Sequence, residues 1–79
     1  MSQTIGERLK EAAARLKFLG FGDYGEMLDD AYSYSSSSSE IYFKASGIIK
    51  AVLNSCDIKD EIFVKSLEKL QADIDKNIS

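Results

Sequence analysis

The chain has 79 residues, 44% hydrophobic and 29% charged, with a net charge of −3, one cysteine and neither histidine nor proline. That is room for one domain and one modest core, and it is too apolar for a disordered chain. Ten Lys and Arg are interleaved with thirteen Asp and Glu, which leaves no clustered positive field and argues against nucleic acid as the main partner.

Four segments carry helical periodicity. Ile5, Leu9, Ala12, Leu16 and Leu19 recur at spacings of three and four and form one stripe. Thr4 followed by Glu7 reads as a capping box for this helix, and Gly20 as its left-handed terminator. Asp23 followed by Glu26 predicts a second cap, opening a short helix that ends near Tyr32 to Tyr34. On it Tyr24, Met27, Leu28 and Ala31 share one face, and Glu26, Asp29 and Asp30 the opposite one.

The run Ser35 to Ser39 begins as a loop, because serine side chains compete for the backbone. Ser37 or Ser38 then caps a third helix, with Glu40 behind it. Its central stripe is Ile41, Ala45, Ile48 and Val52, widened by Tyr42, Ile49 and Leu53. Gly47 within it costs about 1 kcal/mol of helix propensity, which close approach of a neighbouring helix would explain. After Asn54-Ser55-Cys56, Asp57 with Asp60 behind it is expected to start the fourth helix. Phe63, Leu67, Leu70 and Ile74 form a coiled-coil-like seam on it, and Asn77 to Ser79 are expected to fray. The predicted fold is all-α, a compact four-helix bundle-like domain with one short helix, spanning 1–79 as a single unit.

Reactive chemistry is sparse. Without histidine there is no Ser-His or Cys-His pair, and the commonest metal ligand is missing. One cysteine cannot build a zinc site, and no glycine-rich phosphate loop is present. Asp29 and Asp30 are adjacent, so on a helix they point about 100° apart and do not converge. The expectation is a non-catalytic chain with no catalytic residues, no metal and no cofactor. Cys56 would be reactive only at the positive end of the fourth helix; otherwise it is a small turn residue. A lone cysteine, no signal-peptide layout and no run approaching the roughly 20 apolar residues of a membrane span fit a cytoplasmic protein.

Binding features stand out more. Asp23, Glu26, Asp29, Asp30, Tyr32 and Tyr34, with Tyr24 among them, form an aromatic-acidic segment suited to a basic protein surface. The alternative is a solvated face with the tyrosines packed over the bundle end. Phe43 lies about 200° from Ile41 around the third helix, off the main stripe. It either anchors a partner or faces a neighbouring helix. Phe18 and Val64 are placed off their stripes in the same way. The serine run either connects, or orders on binding or phosphorylation.

In size, acidity and helical pattern the whole chain resembles bacterial immunity proteins. No residue-level motif carries that resemblance, so it assigns no individual residue a role. It implies an inhibitor whose partner is a cognate toxin or nuclease domain with a basic surface, encoded by a neighbouring gene. A second reading is a structural or regulatory homo-oligomer, such as a homodimer joined through Phe63, Leu67, Leu70, Ile74 and Phe43. The acidic second helix and the lack of a basic recognition helix argue against a DNA-binding helix-turn-helix.

Overall fold

A computed structural model describes residues 4–78. Thr4 opens helix α1, Ile5–Phe18: its hydroxyl oxygen accepts from the Glu7 amide at 3.1 Å and its hydroxyl donates back to the Glu7 carboxylate at 3.1 Å. The helix closes in a Schellman motif. Gly20 takes φ 95°, the Phe21 amide donates to the Leu16 carbonyl at 2.8 Å, and the Gly20 amide donates to Lys17 at 3.3 Å. Phe21 is thereby laid against the core.

That motif sets where α2 begins. It spans Gly22–Tyr34, and Phe21 occupies the cap position with no side-chain hydrogen bond. Asp23 therefore does not cap α2 as the sequence suggests. The chain is already turned by the Schellman bonds, and Asp23 sits in the first turn, where its charge complements the positive helix end.

The serine run behaves as predicted. Ser35 to Ser37 connect, and Ser37 accepts from the Glu40 amide at 3.2 Å to open α3, Ser38–Ser55. The Glu40 carboxylate reaches past the cap to the Ser36 amide and hydroxyl. Lys44, then Ser36, hold the Glu40 carboxyl at about 2. α4, Glu61–Ile78, starts later than Asp57. Ile58 is drawn against the core within the connection, and Asp60 does the capping: it accepts from the Phe63 amide at 3.2 Å and from Arg15 of α1 at 2.8 Å. The helix continues through Asn77, whose side chain donates to the Asp73 carbonyl at 2.8 Å, so Asn77 is not frayed; Ser79 lies outside the described residues.

Each helix packs on its chain neighbour, and α4 returns to α1. Gly6 meets Tyr32 while Lys17 meets Asp29, so α1 and α2 are antiparallel. Arg8 bonds Asp73 at 2.7 Å while Arg15 bonds Asp60, so α1 and α4 are antiparallel too. The radius of gyration is 11.5 Å, against about 11.6 Å expected for a folded chain this long. α1 and α2, at 14 and 13 residues, are both short beside the 18-residue α3 and α4.

The core joins Leu9, Ala12, Ala13 and Leu16 of α1, Leu28 of α2, Ala45, Ile49 and Val52 of α3, and Phe63, Leu67, Leu70 and Ile74 of α4. Two expectations change here. The buried face of α3 is turned by about 60° from the Ile41–Ile48 stripe toward α4. Ile49 is fully buried and Ile48 only half-buried, because Ser46 is drawn inward and donates to Asp75 of α4 at 2.8 Å. The α4 seam is also closed by the chain's own helices, with Phe63, Leu67, Leu70 and Ile74 all buried. It is not open to a second copy, and Phe43 lies on a different surface, so the two do not form one dimer interface.

The ion pairs give the fold a pH dependence. The Arg15 guanidinium and the Phe63 amide hold the Asp60 carboxyl below its ordinary range, and Arg8 does the same to Asp73. The folded state therefore binds these protons less tightly than the unfolded chain. The stability they contribute is complete above the ordinary aspartate value of about 3.9 and is lost as pH falls through the lowered values. Thermal melts followed from about pH 6 to pH 2 should show a falling Tm below about pH 4. A double variant Asp60→Asn, Asp73→Asn should melt lower at pH 6 and with a shallower acid slope. An unchanged slope would remove these two pairs as the cause.

Candidate functional site

At about 100° per residue, Asp23, Glu26, Met27, Asp30 and Tyr34 fall within an arc of about 100° on the outer side of α2. All five are exposed, Met27 at 46% and Tyr34 at 80%. Along the inner side of that arc α2 and α3 part to leave an open, largely apolar groove of about 470 Å³. Met27, Asp30, Ala31 and Tyr34 line it from α2, and Lys44, Gly47, Ile48 and Ala51 from α3. Phe43, 71% exposed, stands one turn before Gly47 at the outer rim. Lys44 is turned to Glu40 at 2.9 Å, so the cation on this wall is matched by a carboxylate of its own helix.

The seven residues expected to bind a partner are thus divided. Asp23, Glu26, Asp30, Tyr34 and Phe43 share the outer α2/α3 surface. Asp29 and Tyr32 do not. Asp29 accepts from Lys17, and Tyr32 lies under the Lys10 ammonium at 4.9 Å and beside Gly6. Both are used in holding α2 to α1, because at positions 29 and 32 the helix has turned toward its neighbour.

Other residues depart from the sequence reading as well. Met27, expected to share a face with Tyr24, Leu28 and Ala31, is instead exposed and walls the groove. Gly47 was expected at a close helix approach, but a Cβ built on it would meet nothing within 4 Å. The close approaches are at Gly25, where a Cβ would stand 2.7 Å from the Ala13 carbonyl oxygen, and at Gly6 beneath Tyr32. The sequence signal for Met27 is its position four residues after Asp23 and three before Asp30, on the acidic face. Its apolarity outweighed that spacing. Ile48, Ala51 and Lys44 carry no signal separable from an ordinary helix face.

A second concavity lies between α1 and α4, where Arg8, Arg15 and Asp60 flank Ala12, Phe63 and Leu70. Its charged groups serve the Arg8–Asp73 and Arg15–Asp60 pairs, and Arg15 also lies over the exposed Phe18 ring at 5.4 Å. Cys56 is the C-cap of α3 rather than the first turn of α4. Burial pushes its thiol above the ordinary value, away from the thiolate. Among the described residues, no group of three or more Cys, Asp or Glu side chains is placed to hold a metal ion, and no helix is long and apolar enough to cross a membrane.

Fold and surface together define an all-α four-helix protein with an acidic, aromatic face on its second helix. No protein-family model, no curated protein and no solved structure matches the chain.

Proposed function

We propose that this is a small non-catalytic protein-binding module, of the inhibitor or immunity type, that covers a basic surface on a toxin or nuclease domain. The observation that carries the reading is the outer face of α2. Asp23, Glu26 and Asp30 are exposed there beside Met27, Tyr34 and Phe43, while the neighbouring Asp29 and Tyr32 are occupied within the fold. Exposed carboxylates speed encounter with a positive partner, and exposed aromatics and methionine supply the contact area that interfaces favour. α2 contains no Lys or Arg, and the nearby cation, Lys17 of α1, which Glu26 and Asp30 also face, is bonded to Asp29.

The test compares the wild type with a triple variant, Asp23→Asn, Glu26→Gln, Asp30→Asn, as immobilised baits for the product of the neighbouring gene in the host. None of the three acids makes a bond in the core, so the variant should keep its helicity, with Tm lowered by no more than a few degrees through the loss of Asp23's charge at the helix N-terminus. Association should slow by about 10-fold or more at low salt, and the wild-type rate should fall as salt rises. Equal association by both baits, at every salt concentration, would end the acidic-face reading.

A further inference from the structure

We infer that the groove between α2 and α3 seats an amphipathic helix of a partner protein, with apolar residues turned into the groove and basic residues turned toward α2. This rests on the reading of α2's outer face as the partner surface, and it adds what lies beside that face. The floor is small and apolar: Ala31 on one side, and Gly47 and Ala51 one turn apart on the other. Nothing stands within 4 Å of a Cβ built on Gly47, so the space above it is open to an incoming side chain. Met27 and Tyr34 form an apolar wall that water would otherwise cover.

Charge complementarity gives the occupant its sign. Asp30 lines the groove and Asp23 lies on the same side of α2 one turn before Met27, while the facing Lys44 is matched by Glu40. An acidic or neutral helix gains nothing from that border, whereas Lys or Arg on the flank of an apolar stripe meets Asp30 and, one to two turns along, Asp23. Backbone chemistry gives its conformation. Both walls are helices whose amides and carbonyls are bonded along their own axes, so an extended peptide finds no strand edge to pair with. A helix satisfies its own backbone and offers residues at i, i+3, i+4 and i+7 to a groove one to two turns long.

Gly47 separates this inference from the acidic-face reading. Gly47→Leu fills the groove without touching a charge, and it leaves the fold intact because its side chain enters open space and leucine favours helix. The probe is a helical peptide with leucine at i, i+3, i+4 and i+7 and lysine on its flanks, titrated into ¹⁵N-labelled protein. A control peptide has the same composition in scrambled order. Amide shifts should concentrate at Met27, Asp30, Tyr34, Gly47 and Ala51. Affinity should fall about 10-fold or more in the Gly47→Leu variant and with the scrambled peptide.

Equal binding by Gly47→Leu, or shifts centred on α1 and α4, would overturn the inference. So would the same shifts on diluting the protein alone, which would make the groove a contact between copies of this chain. If the Asp23→Asn, Asp30→Asn variant loses the peptide while Gly47→Leu keeps it, the acidic face stands and the groove assignment falls. If the Asn variant binds at full strength, the occupant is not selected by charge, and the acidic-face reading falls with its basic helix.

Discussion

Ile49→Ala should destabilise the protein by about 2–5 kcal/mol, and Ile48→Ala by only about 1 kcal/mol. The two residues are adjacent and chemically identical. Ile49 is fully buried against α4, and its loss leaves a cavity that the surrounding helices fill only in part. Ile48 already gives one side to the groove, so truncation there removes contact without enclosing a void. A chain of this length has roughly 4–12 kcal/mol of total stability, so Ile49→Ala uses up a large part of it. At about 4–8 °C per kcal/mol, the two variants should melt roughly 4–30 °C apart. Denaturant melts with equal m-values would read the difference directly. Coincident midpoints would mean that α3 is not turned toward α4 as described.

Gly25→Ala should also destabilise, by about 1–3 kcal/mol, although alanine is the better helix former. The added methyl would stand 2.7 Å from the backbone carbonyl oxygen of Ala13 and 2.8 Å from Lys17 Cγ. The lysine stem can swing aside; the carbonyl is fixed in α1. α2 must therefore back away from α1, which loosens Leu28 and strains the Lys17–Asp29 contact. Gly47→Ala is the matched control. It meets nothing within 4 Å and should stabilise by about 0.5–1 kcal/mol, through better helix propensity and a less flexible unfolded chain. Two helical glycines should thus respond to the same methyl with opposite signs. Thermal melts of the two variants side by side would check it, and a gain in both would show that the α1–α2 crossing is looser than the Gly25 contact implies.

The contrast between those glycines also marks the limit of sequence reading. Both sit inside helical patterns, and each invites the explanation of close approach. Which one is crowded depends on where α1 crosses α2, and no local pattern encodes that. The candidate site divides for the same reason. Asp29 and Asp30 are neighbours in sequence, yet 100° of helix rotation sends one to Lys17 and leaves the other at the groove. Tyr32 and Tyr34 part in the same way, one under Lys10 and the other exposed.

The sequence by itself determined the four helices, the serine loop, the Thr4 cap, a serine cap at Ser37 or Ser38, the Gly20 terminator and the α4 seam. Each follows from interactions within about four residues, or from an apolar period that one buried face must satisfy. Tertiary structure alone decided which side of α3 faces inward, where α4 begins, which glycine carries a helix crossing, and which acids remain open. Those outcomes turn on bonds between residues far apart in the chain, such as Ser46 to Asp75 and Arg15 to Asp60. Such bonds can rotate a helix or move its cap without changing any local preference.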